Sequence, residues 1–160
     1  MTTHDDQLAT VAEIMEDTRI AVLTYVSADG ALVSTPMGTQ DFEHPGTVWF
    51  LTERDTDKVR AIEADPRVNV AYASGDGWVS LTGTARVSED REKLKQLWDL
   101  SAGVFMTGGP EDESNVLLEV SGSSAEYWDS PGKVASVLEL AKGLVGRGTP
   151  DLGDNDTVAL

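Results

Sequence analysis

Short runs rich in β-branched and aromatic residues recur along this chain from Ile20 to Trp128, most of them bounded by a glycine turn, a proline or a helix cap. Such punctuation leaves little room for anything but antiparallel strands. Ile20–Val26 runs into Ser27-Ala28-Asp29-Gly30 and then Ala31–Thr35. Asp-Gly between two such runs predicts a hairpin of the type I′ kind, which needs two residues at positive φ. Gly46 opens a third run, in which Val48, Phe50 and Thr52 alternate with Trp49 and Leu51. Asp76-Gly77 joins Val68–Ala73 to the long run Trp78–Val87, and Gly83 inside that run marks a bulge or a close backbone approach. Val116–Val120 and Ser124–Trp128 flank Ser121-Gly122-Ser123, which reads as another hairpin. The expected fold is mainly β: a six-stranded antiparallel Greek-key barrel with flanking helices.

The helices are fewer. Leu8, Val11, Ala12, Ile14 and Met15 lie at helical spacing, which predicts a helix over Asp5–Asp17. Asp55 and Thr56 offer an N-cap to a helix carrying Val59, Ala61 and Ile62, and Pro66 stops it. Ser88 is read as the cap of a helix with Leu94, Leu97 and Trp98. Pro131 opens a last helix, with Val134, Val137, Leu138 and Ala141 on one face and Gly143–Gly148 ending it. Residues 1–148 then form one domain, and 149–160 an acidic tail, loose or draped over a partner.

Composition removes several chemistries. With no cysteine there is no disulfide, thiolate nucleophile or Fe–S cluster, which fits a cytoplasmic protein. Twelve Lys plus Arg face 28 Asp plus Glu, for a net charge of −16, a surface that repels nucleic acid and anionic membranes. No apolar run is long enough to span a bilayer. His4 and His44 are the two histidines, in separate segments, so no metal site is expected. Ser130-Pro131-Gly132-Lys133 matches an SxxK pattern without its companions and reads as a turn.

Against so acidic a background the placement of each cation matters. Thr56 and Lys58 sit at a helix N-terminus just after a strand. Free amides, a hydroxyl and an ammonium converge there, and a phosphate would fit. An ordinary cap with a solvated lysine would have the same sequence. Trp78 and Trp128 stand at strand ends, where an aromatic either stacks on a planar ligand or caps the barrel's own core.

Phe50-Leu51-Thr52, Thr56-Asp57-Lys58, Ile62-Glu63 and Asp65-Pro66-Arg67-Val68, with support from Val33–Met37, Val79–Gly83 and Glu126–Trp128, resemble a known pattern. From about residue 5 to 145 the chain is similar to the pyridoxamine 5′-phosphate oxidase-like FMN-binding split-barrel superfamily, most closely its general stress protein 26 branch. The resemblance implies a homodimer with FMN in a groove between subunits. It implies that the segment Thr35 to Gln40, with Thr35, Pro36, Met37 and Gln40 in it, runs beside the flavin ring with its backbone, and that Leu51 and Thr52 contact the flavin and its ribityl chain. Thr56, Asp57 and Lys58 would match a phosphate cradle, while Trp78 and Trp128 would reach the flavin of the other subunit. Thr35 and Asp57 stand where relatives often carry Arg; two lost charge-assisted hydrogen bonds, about 1.5–3 kcal/mol each, amount to roughly two to four decades of affinity. Arg54 is the cation expected to compensate in part. Lys133, Val134, Ala135 and Ser136 replace the Arg and His that hold pyridoxamine phosphate, so that oxidation is not expected. Three functional classes follow: an FMN-dependent oxidoreductase acting on a small molecule, a non-catalytic flavin or F420 module, and a cofactor-free dimeric interaction protein.

Overall fold

The computed structural model describes residues 3–99, 102–129 and 153–160. The helix expected from Pro131 and the Lys133–Ser136 segment lie outside them.

The chain opens with α1 (His4–Glu16), started by a capping box in which the Asp6 amide donates to Thr3 Oγ1 at 3.2 Å and the Thr3 amide to Asp6 Oδ2 at 3.1 Å. Val11, Ile14 and Met15 form its buried stripe. Strands β1 (Ile20–Val26) and β2 (Leu32–Gly38) make the first hairpin. Its turn differs from the expected one. The Gly30 amide donates to Ser27 O, and Gly30 alone has positive φ, +82°, so Asp29 keeps an ordinary conformation. Asp29 instead accepts from the Ser27 hydroxyl and the Ala31 amide, an Asx-type arrangement that makes the second positive φ unnecessary.

β3 (Thr47–Glu53), α2 (Asp57–Ala64), β4 (Arg67–Ala73) and β5 (Gly77–Ser88) follow. The next helix, α3 (Arg91–Leu97), is capped by Asp90, whose carboxylate accepts from the Lys93 amide at 3.0 Å. Ser88 is therefore not the cap: it ends β5, and its hydroxyl accepts from the Asp90 amide. A single turn, α4 (Ala102–Phe105), precedes β6 (Asn115–Asp129).

β6 overturns the expected hairpin at Ser121–Ser123. It is one continuous strand of 15 residues, paired with β5 along its length except for a register shift between Thr82 and Gly83. Gly122, which looks like a turn residue, instead meets Gly83 of β5 at a close crossing of the two strands. A Cβ on Gly83 would sit 2.1 Å from Ser121 O, and one on Gly122 would sit 2.6 Å from Leu81 Cδ1. The bulge read from Gly83 is present, and Gly122 is its partner rather than a turn.

The sheet order is β2-β1-β4-β5-β6-β3, all antiparallel. β3 leaves the side of β2 and returns beside β6, the Greek-key crossover. No ladder joins β2 to β3 among the described residues, so the curved sheet stays open at that seam. β2 is the edge strand on one side, with Pro36 in it opposite Val22.

The acidic tail also departs from expectation. Asp154–Ala159 is a seventh strand, β7, paired with Ser124–Asp129 of β6. β3 covers Asn115–Ser121 of the same edge, so β3 and β7 lie end to end along β6.

Two apolar clusters hold these parts. The main one packs α1, α2 and the inner face of the sheet, with Leu23, Phe50, Ile62, Tyr72, Leu81 and Leu118 almost fully buried. A smaller one lies behind β3, where Leu94, Leu97 and Leu117 gather Trp49, Leu51 and Trp98. Trp49 and Trp98 are thus packing residues, and Lys93 Nζ lies 5.3 Å over the Trp49 ring.

Candidate functional site

A groove of about 1190 Å³ runs between the end of α1, β2, β3, the start of α2 and α4. Its size exceeds the range of about 300–1,000 Å³ usual for small-molecule pockets. Of the residues expected at a site, Pro36, Met37, Gln40, Leu51, Thr52, Thr56 and Lys58 line it. These come from three segments, 36–40, 51–52 and 56–58, brought together because β3 delivers the chain into α2 beside the end of β2. Leu51 is propped from behind by the smaller cluster under α3, which fixes that wall.

Thr35, Asp57, Trp78 and Trp128 do not line the groove. Thr35 is half-buried in β2, opposite Leu23. Asp57 is 96 % exposed and bonds Arg60 at 2.6 Å, so its charge is neutralised and turned to solvent. Arg60 also pairs with Asp55 at 2.6 Å. Trp78 and Trp128 face each other across β5 and β6, 52 % and 39 % exposed.

Lys58 is the central charge. Its ammonium reaches Met37 Sδ at 3.4 Å, a weak acceptor, and has no carboxylate partner among the described residues. Burial lowers its pKa below the ordinary lysine value. A half-buried cation without a counter-ion is an anion site in electrostatic terms. The α2 terminus adds to it. The Thr56 hydroxyl donates to Glu53 O at 3.1 Å and accepts from the Val59 amide at 3.3 Å, so it is committed to the cap. With the Val59 amide taken by Thr56 Oγ1, the amides of Asp57 and Lys58, at the first two helical positions, are left without an intrahelical acceptor.

Arg54, the cation expected to compensate in part, pairs its guanidinium with Glu89 and does not line the groove. Arg19 does line it, without an ion pair among the described residues, set there by the Thr39 amide donating to Arg19 O at 3.0 Å. Sequence reasoning missed Arg19, and with it Phe42, Phe105 and Met106; Thr39 falls inside the segment 35–40 expected beside the flavin. The Thr39 hydroxyl is buried in the groove wall without a hydrogen-bond partner. Phe105 is 86 % exposed at the groove and Met106 lies beside it. That wall is tied down by the Thr107 amide donating to Glu53 Oε1 at 3.3 Å and by buried Asn115, whose Nδ2 donates to Thr107 O and Gly109 O. Glu16, Asp41, Glu53 and Asp99 make the rest of the rim acidic.

No group of three or more His, Asp or Glu among the described residues could hold a metal ion. None of the described helices is long and apolar enough to cross a membrane.

Comparison with known proteins bears on the fold and the family. A family model described as "Pyridoxamine 5′-phosphate oxidase like" matches residues 6–151. A solved structure named for general stress protein 26 from Jannaschia sp. CCS1 is 29 % identical, with a TM-score of 0.82 over 98 % of this chain and 99 % of that one. General stress protein 26 from Bacillus anthracis str. Sterne is 24 % identical, with a TM-score of 0.68 over 76 % of this chain and 92 % of that one. A relative of general stress protein 26 from Clostridium acetobutylicum, of the pyridoxinephosphate oxidase family, is 16 % identical, with a TM-score of 0.69 over 79 % and 90 %. The last two likenesses are of fold. No curated protein sequence matches the chain.

Proposed function

The chain belongs to the pyridoxamine 5′-phosphate oxidase-like family, in its general stress protein 26 branch, and from that premise we propose that the groove binds FMN and serves an oxidoreductase of small molecules. The observation that carries this reading is Lys58: a half-buried ammonium with only a thioether beside it, at a helix N-terminus, on the wall of a groove large enough for a cofactor.

The residues fit the group. Lys58 and the Asp57 and Lys58 amides would hold the phosphate, and Arg19 adds positive charge to the same groove. Thr52, Thr39 and Gln40 offer polar groups for the sugar-alcohol chain or the ring edge. Met37 and Leu51 supply apolar contact. Bound FMN supplies the electron-transfer chemistry; the protein supplies placement and electrostatics. No side chain is assigned to proton transfer.

The Trp78–Trp128 pair is absent from its own chain's groove, which fits the family's dimer, in which these positions serve the other subunit. Exposed Ile20 and Val22 on β1 offer further apolar surface for such a contact. The acidic rim and the exposed, paired Asp57 speak against a second phosphate-bearing molecule, so the co-substrate is neutral or cationic rather than pyridoxamine phosphate.

Titration of the purified protein with FMN, followed by visible absorption, tests the reading. A perturbed flavin spectrum that saturates at one site per chain is expected, weakened in Lys58→Ala. A silent titration, confirmed by calorimetry, would overturn it and leave a cofactor-free interaction protein.

A further inference from the structure

β7 is held unequally along its length. At its C-terminal end Val158 is buried in the main core, Leu160 packs beside it, and the Leu160 amide donates to Ser123 O at 3.2 Å. In the middle, Gln7 Nε2 of α1 donates to Asp156 Oδ2 at 2.6 Å, and Asn155 Nδ2 to Tyr127 O at 3.0 Å. At its N-terminal end the register sets Asp154 directly opposite Asp129 of β6. Like charges directly opposite each other destabilise a strand pair.

More negative charge surrounds that contact. Asp129 lies in a small cleft with Glu13, Glu16 and Asp17 from the end of α1 and Asp76 from the turn between β4 and β5. None of these groups has an ion pair among the described residues. Burial first, and then Asp154, Glu13 and Asp76, push the Asp129 carboxyl above the ordinary carboxylate range. A group whose pKa is higher when the strand is docked takes up a proton on docking, so docking strengthens as pH falls toward the ordinary carboxylate value.

We propose that β7 is a clasp, anchored at Val158 and weakened at Asp154 by like charge, that tightens as acidity or salt rises and thereby orders the Trp128 end of β6. Without β7, Ser124–Asp129 would be an edge strand; with it, they are interior. Trp128 stands opposite Asn155 within that stretch. The clasp therefore couples the surroundings of the chain to the exposed Trp78–Trp128 pair.

Hydrogen exchange of the full chain, read by mass spectrometry on peptides covering 124–129 and 154–159, tests this at neutral pH. Asp129→Asn raises protection of both segments about two- to fivefold, the usual worth of a cross-strand charge pair. Asp154→Asn gives a smaller gain, and the double variant matches Asp129→Asn alone, as coupled residues do. Raising NaCl from roughly 0.05 to 0.5 M protects the wild type but not Asp129→Asn. Val158→Asp opens both segments. Unchanged protection in Asp129→Asn, gains that multiply in the double variant, a salt response equal in both proteins, or indifference to Val158→Asp would each overturn the clasp.

Discussion

Replacing Lys58 by Met separates binding from folding. The wild-type ammonium sits half-buried with a sulfur atom 3.4 Å away, and burial already lowers its pKa. In the free protein it is therefore a cost without a matching partner, and an apolar chain of similar length removes that cost. The thermal midpoint of the unliganded variant should be equal to or above that of wild type. Bound phosphate reverses the sign. A charge-assisted hydrogen bond is worth about 1.5–3 kcal/mol, which corresponds to roughly 10- to 150-fold in Kd for FMN. Riboflavin lacks the phosphate, so its affinity should change by less than about twofold, within the scatter of a lost neutral contact. Isothermal titration calorimetry with both ligands, together with a melting curve, reads all three quantities. The pH profile gives a further check. As pH rises through the lowered Lys58 pKa, the ammonium is lost and wild-type FMN affinity should decline before that of a solvent-exposed lysine site would. The variant should show no such step. Equal losses for FMN and riboflavin, or a large drop in the melting temperature of the free variant, would refute the electrostatic argument and make Lys58 a packing residue.

Three other outcomes follow from the fold. Gly83→Ala forces a Cβ against Ser121 O at the crossing of β5 and β6, so it should cost at least about 1–3 kcal/mol in urea unfolding, far more than a glycine-to-alanine change in open strand. Leu118→Ala, in a fully buried position of the main core, should cost about 2–5 kcal/mol by the same measurement. The Asp65 carboxyl is held down to about 2, chiefly by the hydrogen bond from the Arg67 side chain. Its stabilisation is present above the ordinary carboxylate pKa and lost as pH falls through 2; in Arg67→Ala an NMR titration should find the Asp65 pKa raised toward 3.8 but still below it, because the residue-67 amide still donates to the carboxylate, and an unmoved value would show that the backbone bond alone sets it.

Most strands could be read because their signals are local. The Asp29-Gly30 and Asp76-Gly77 turns, the alternation in Thr47–Thr52 and the glycine inside β5 all depend on near neighbours. Gly122 misleads for the opposite reason. Flanked by two serines it has the composition of a turn, yet it packs against Leu81, some forty positions away, where an added Cβ would sit 2.6 Å from the Leu81 methyl. β7 was illegible because one buried apolar residue, Val158, carries no period, and its register comes from β6. The groove divides in the same way. Segments 36–40, 51–52 and 56–58 are contiguous and recognisable in the chain. Arg19, Phe105 and Met106 arrive through the Thr39–Arg19 backbone bond and the Thr107–Glu53 tether, which have no counterpart in neighbouring sequence.

The open seam of the sheet leaves β2 with a row of backbone groups free to recruit another strand, the usual start of aggregation. Pro36 interrupts that row. It has no N–H to donate, so a foreign strand laid along β2 meets a missing bond between Ser34 and Gly38. The same residue lines the groove wall. An edge that borders a groove must stay unpaired for the groove to remain accessible, and a proline placed there makes the edge a poor template for its own kind.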